Sequence, residues 1–177
     1  MRKTLDFLYD AAGYLAAFFV FAIFVVMIGG TLMRELGLRT GGSDDIVAWF
    51  CAAAAFLAMA HTFRRGDFVR VVIVLDRLGP AARRRMEAVC LLIMTAFVAF
   101  LTFAGLKFVY ESFAFNDMAN GMIAIPLWIP QSSFVVGTVL LLIAVVDELV
   151  TALRGATPTY IVAAEDRHAR GDFTEDL

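Results

Sequence analysis

The amino-acid sequence predicts an all-α integral membrane protein: four spanning helices, with a short amphipathic helix at the membrane interface between the second and third spans. Three observations predict it. Of 177 residues, 61% are hydrophobic, against about 45–50% in soluble domains. Only 18% are charged, and the mean hydropathy is +0.80, so the apolar excess calls for an apolar solvent rather than a larger core. The charges are also segregated, which leaves four long uncharged runs.

Those runs are Ala11 to Met33, Ile46 to Phe63, Ala88 to Leu106 and Met118 to Val146, with 23, 18, 19 and 29 residues. A hydrocarbon core of ~30 Å needs about 20 helical residues. In lipid the backbone must satisfy its own hydrogen bonds, so each run is expected to be helical. The first run is too long for a signal peptide and lacks a small-x-small cleavage site, so it is read as a retained span. Pro126 and Pro130 belong at the entry of the fourth helix, where a missing N–H costs little. The expected membrane domain covers residues 1–150, with spans at about 11–33, 46–63, 88–110 and 128–146. Residues 151–177, with mixed charge and no apolar run, read as a solvated cytoplasmic tail.

Orientation follows from Lys and Arg placement. Arg2, Lys3, the second-loop residues Arg64, Arg65, Arg70, Arg77, Arg83, Arg84 and Arg85, and the tail residues Arg154, Arg167 and Arg170 fall on one side, twelve in all. Arg34, Arg39 and Lys107, three residues, fall on the other. The positive-inside rule places both termini in the cytoplasm. Trp49, Trp128 and Tyr110 then act as outer interface anchors, with Tyr9 and Tyr14 near the inner interface. Cys51 and Cys90 lie roughly 20 Å apart in depth, far beyond the ~4.4–6.8 Å Cα separation that a disulfide tolerates. Both read as buried small residues.

The second loop is the most unusual stretch. Its segment of about 67–79 is mostly apolar, too short to span, and carries Arg70, Asp76 and Arg77. As a helix it would set Asp67, Arg70 and Arg77 on one face at the headgroups, with Asp76 off that face. The β-branched run Val71 to Val74 also fits a strand, but an unpaired strand at a membrane surface leaves its backbone unsatisfied, which favours the helix. Arg83 to Arg85 would then anchor the third span at anionic lipid. In the second span, Ala48, Cys51, Ala52, Ala53, Ala54, Ala55, Ala58 and Ala60 allow close helix approach. Docking of a partner and packing within the chain explain them equally well.

Catalytic or transport chemistry finds no residues to carry it. No span holds Asp, Glu, Lys or Arg near its middle, where a pump or exporter needs an ionisable group. Glu111, Asp147 and Glu148 are placed at or beyond helix ends. His61 is the only histidine in a span, and His168 lies in the tail, so the ligand pair of a haem bundle is missing. His61 reads as a helix-end polar residue. Thr95, Thr102 and Thr138 are expected to bond their own helix backbone. No Ser/His/Asp set, Cys-x-x-Cys or phosphate loop occurs, and the basic residues do not form a nucleic-acid face. The residues thus predict no enzyme, no cofactor and no metal site. A membrane helix assembly without chemistry is most simply a subunit that supports another protein. An unrelated four-helix assembly factor and a small stand-alone exporter are the alternatives.

Three features carry a resemblance: the entry Asp44-Asp45-Ile46-Val47-Ala48-Trp49; the junction Arg64-Arg65-Gly66-Asp67-Phe68-Val69-Arg70-Val71 followed by Leu75-Asp76-Arg77-Leu78; and the turn Ile125-Pro126-Leu127-Trp128-Ile129-Pro130. Over about residues 5–150 the chain resembles the DctQ-like small membrane subunit of tripartite ATP-independent periplasmic (TRAP) transporters. Phe68 stands where members of that family often have His. The resemblance implies a scaffold in the bacterial inner membrane beside a large multi-span subunit that carries a sodium-coupled transport site. A periplasmic substrate-binding protein would deliver an organic acid anion of the dicarboxylate or sialic acid type. Arg64, Arg65, Asp67, Arg70, Asp76 and Arg77 are then the expected contacts with lipid and partner at the inner interface.

Overall fold

The computed structural model of the chain describes residues 2–38, 41–66, 79–155 and 158–162. They form four long helices: α1 (Arg2–Glu35), α2 (Ser43–Arg65), α3 (Pro80–Ala114) and α4 (Trp128–Leu153). All four are long and apolar enough to cross a membrane. The first three each contain one of the uncharged runs and α4 takes the last part of the fourth; all continue into charged residues, because a helix goes on while its backbone bonds are satisfied, whatever the side chains. The segment expected as an interfacial helix falls, except for Gly79, outside the described residues.

Local chemistry explains the helix ends. After α1, Gly37 takes φ 74°; the Leu38 N–H donates to the Met33 carbonyl (2.9 Å) and the Gly37 N–H to that of Arg34 (3.1 Å). This is the glycine-closed stop that satisfies the last orphan carbonyls. Asp44 and Asp45 stand in the first turn of α2, and Arg64 and Arg65 in its last, each sign matching the helix dipole. Pro80 opens α3 at a position where its missing N–H costs nothing.

The helices pack in a row. α1 lies on α2, α2 on α4 and α4 on α3, while the remaining pairs barely touch. α1 and α2 run antiparallel, as do α3 and α4, while α2 and α4 run parallel. One end therefore gathers the first turns of α1, the last turns of α2 and α4, and the start of α3; it is called the terminal end. The far end carries the α1–α2 and α3–α4 connections. Backbones approach most closely between α2 and α4, where a Cβ on Gly137 would strike the Phe56 carbonyl. Small residues permit such contacts in lipid.

The main core lies toward the terminal end, built from Tyr9, Ala60, Phe63, Leu91, Leu141, Ala144 and Val145 with others, and a second cluster joins Ala16, Ala53 and Leu57. Only 6% of the most apolar window of α1 is buried, against 39% in α4. Phe18, Phe21 and Phe24 on α1, and Phe97, Phe100 and Phe103 on α3, are exposed. Water does not tolerate so much contiguous apolar surface, but lipid does.

The row corrects one expectation. Cys51 and Cys90 are exposed and unbridged, not buried. A helix with neighbours on only one or two sides keeps an outward face; Cys51 lies on that of α2 beside exposed Ala48 and Ala55. The small residues of α2 divide accordingly: Ala53, Ala54 and Ala60 are buried, and Ala48, Cys51, Ala52 and Ala55 face outward.

Candidate functional site

At the terminal end, Arg64 is the centre of a polar cluster. The last turn of α2 aims its guanidinium back between α1 and α4. Nη2 donates to Asp6 Oδ1 on α1 (2.7 Å), and Nη1 to Asp147 Oδ2 on α4 (3.1 Å). Glu148 Oε1 lies 3.6 Å from Nη1. The guanidinium carbon sits 5.5 Å from the centre of the Tyr9 ring, within cation–π reach. Asp6, Tyr9 and Asp10 are spaced to share one face of α1. Asp10 Oδ1 lies 3.3 Å from Nδ1 of His61, whose ring rests on Gly13. His61 and Arg64, three residues apart, thus clamp α2 to α1.

The cluster is set in a shielded place. The Arg64 side chain is 14% exposed and that of Glu148 is 0% exposed. A carboxylate so buried is costly unless it is paired and hydrogen-bonded. Its further bonds come from beyond α4: Thr159 donates its backbone N–H to Glu148 Oε2 (2.8 Å) and its hydroxyl to Oε1. The Tyr160 ring packs against Phe63 at 5.6 Å. This corrects two expectations. Asp147 and Glu148 lie within α4, which continues to Leu153. Residues 158–162 do not extend into solvent; Tyr160 and Ile161 join the main core. Their apolar side chains form a run too short to register in the sequence.

At the far end, the α3–α4 connection doubles back on itself. Ala119 N–H bonds Ile125 O and Leu127 N–H bonds Asp117 O, both at 2.9 Å. The tip is tied to α2 by Met122 N–H donating to Asp45 Oδ2 (2.9 Å). Between the tip, α2 and α4 opens a cleft of about 480 Å³, lined among others by Asp45, Trp49, Gln131 and Phe134. Both polar atoms of the Gln131 amide are buried without a hydrogen-bond partner among the described residues. Trp128 meets Phe113 edge-on at 5.9 Å.

Of the residues expected at a partner contact, Arg64 is committed to carboxylates of its own chain, and Arg65 beside it is exposed. Asp67, Arg70, Asp76 and Arg77 lie outside the described residues. Trp49 and Trp128 both sit at the far end. Thr95, Thr102 and Thr138 bond carbonyls of their own helices, as expected. Among the described residues, no three His, Cys, Asp or Glu side chains come together as metal ligands would. The residues that sequence reasoning missed are Asp6, Tyr9, Asp147, Glu148 and Thr159. Matching polar residues at equal depth on different helices would have found the first four.

The arrangement fastens helices together through charged side chains. With four helices long and apolar enough to cross a membrane, the fold is that of a multi-pass helical membrane protein. The family model described as "Tripartite ATP-independent periplasmic transporters, DctQ component" matches residues 23–155, about three-quarters of the chain. The chain belongs to this family of TRAP transporter components. A comparison with curated proteins finds no match. Arg64, Asp147 and Glu148 fall inside the matched region; Asp6, Tyr9, Asp10 and Thr159 fall outside it.

Proposed function

We propose that the chain scaffolds the large, sodium-coupled subunit of a TRAP transporter and takes no chemical part in transport. Family membership carries this reading, and it removes the basis for an unrelated assembly factor or a stand-alone exporter. The polar groups described above support the passive role. Arg64 and His61 are spent on holding helices, and Lys107 pairs with Glu111 on its own helix (3.6 Å). The outward apolar faces of the row offer a broad surface to lipid and to a larger membrane partner.

In this reading the protein lies in the bacterial inner membrane with both termini cytoplasmic, and a periplasmic binding protein delivers an organic acid anion to the large subunit. Arg65, Asp67, Arg70, Asp76 and Arg77 hold the complex at the inner interface. Reconstitution tests the function. Vesicles with the large subunit, the binding protein and an inward sodium gradient should take up a dicarboxylate or sialic acid only when this chain is present. Equal uptake without it would remove the scaffold role. Arg65→Glu should lower recovery of the large subunit with this chain; undiminished recovery would remove Arg65 from the contact.

A further inference from the structure

We propose that residues 158–162 form a strap whose docking on Glu148 sets how firmly α1 is held to the rest of the protein. The charge balance of the terminal cluster is the starting point. Among the described residues, one guanidinium, that of Arg64, faces three carboxylates: Asp6, Asp147 and Glu148. In a shielded environment a single cation does not satisfy three anions, and the most buried anion is the most demanding. Glu148, at 0% exposure, receives the two neutral donors of Thr159. Those donors leave Arg64 free to lie closer to Asp6, at 2.7 Å, than to Glu148, at 3.6 Å.

The strap is built to stay in place and also to let go. After α4, Gly155 turns the chain with φ 77°. From Pro158 a single helical turn follows, with the Ile161 N–H bonding the Pro158 carbonyl at 3.1 Å. Tyr160 against Phe63 and the buried Ile161 side chain hold it. A single short turn held at its side chains is an attachment of the kind that opens locally. When it opens, Glu148 loses its neutral donors and draws Arg64 toward α4. The Asp6–Arg64 bond weakens, and the terminal end of α1 loosens. α1 is the helix least able to bear this, since it packs chiefly on α2 and buries the least of its apolar window. The strap therefore passes the state of the C-terminal segment to α1 through Glu148 and Arg64.

Amide hydrogen exchange of the detergent-solubilised full chain tests this. Thr159→Val removes the hydroxyl donor at nearly constant volume. It should speed exchange across residues 5–12 of α1 by ~tenfold, with Tyr160→Ala giving at least as much. Thr159→Ser, which keeps the hydroxyl, should restore most of the protection. In a Glu148→Gln background the carboxylate no longer draws on Arg64, so Thr159→Val should add little. The proposal is overturned if α1 exchange is unchanged in both Thr159→Val and Tyr160→Ala. It is also overturned if Thr159→Val acts equally with and without Glu148→Gln, which would make the strap a packing element unconnected to the charges.

Discussion

The two ends of the row solve the same problem in different ways. Each must finish antiparallel helices where an apolar solvent gives way to a polar one. The terminal end does it with charge: Arg64 and His61 reach across to carboxylates on α1 and α4, and Thr159 completes the most buried of them. The far end does it with backbone: a short hairpin folds over α2 and is tied by Met122 N–H to Asp45. The first solution is dense and internal. The second leaves a cleft of about 480 Å³ and an unpartnered Gln131 amide. Several charged side chains join α1, α2 and α4 at the terminal end, whereas a single hydrogen bond of this kind ties the hairpin to α2, so the terminal end should contribute more to holding the row together.

This contrast can be broken by substitution, and the largest effect is expected at Arg64. Arg64→Ala leaves Glu148 buried without its cation and should cost about 3 kcal/mol, read as a fall in the unfolding midpoint in mild detergent. A change within experimental error would mean that the cluster does not fasten the row. Gly137→Val tests the packing between the ends. Its side chain has no room against the Phe56 backbone, and overpacking should cost about 2 kcal/mol by the same assay. A neutral result would show that α2 and α4 can separate freely. Asp45→Ala removes one hydrogen bond of the far end and should cost about 1 kcal/mol, with faster protease cleavage within residues 118–125. A cost equal to that of Arg64→Ala would erase the difference between the ends. Gln131→Leu should be the mildest change. An amide without partners gives up little when replaced by an apolar group of similar size, so the midpoint should stay or rise; a marked fall would show that the amide is bonded.

The four helices were legible in the sequence because hydropathy and length alone require them. Their packing order was not, since uncharged runs do not say which faces meet; that is why Cys51 and Cys90 were misread as buried. The Arg64 cluster was half legible. Its members are plain in the sequence, but Asp147 and Glu148 read there as helix-end charges and Arg64 as a contact with lipid and partner. Only the packing of the row, with α2 antiparallel to α1 and parallel to α4, brings Asp6, Arg64 and Asp147 to the same depth and turns them into one site. Thr159 gave no signal at all, because its role depends on a chain reversal after Leu153 that no periodicity announces. The family resemblance was carried by short junction motifs, and much of the longest of these, Asp67 to Leu78, lies outside the described residues.

The most direct test of the proposed role is a mild-detergent purification of this chain from its native membrane, with every co-purifying protein identified. Recovery of a much larger multi-span membrane protein in fixed ratio is the expected result, and sodium-dependent uptake can then be assigned to that partner. Recovery of this chain alone, folded and stable, would contradict the scaffold role.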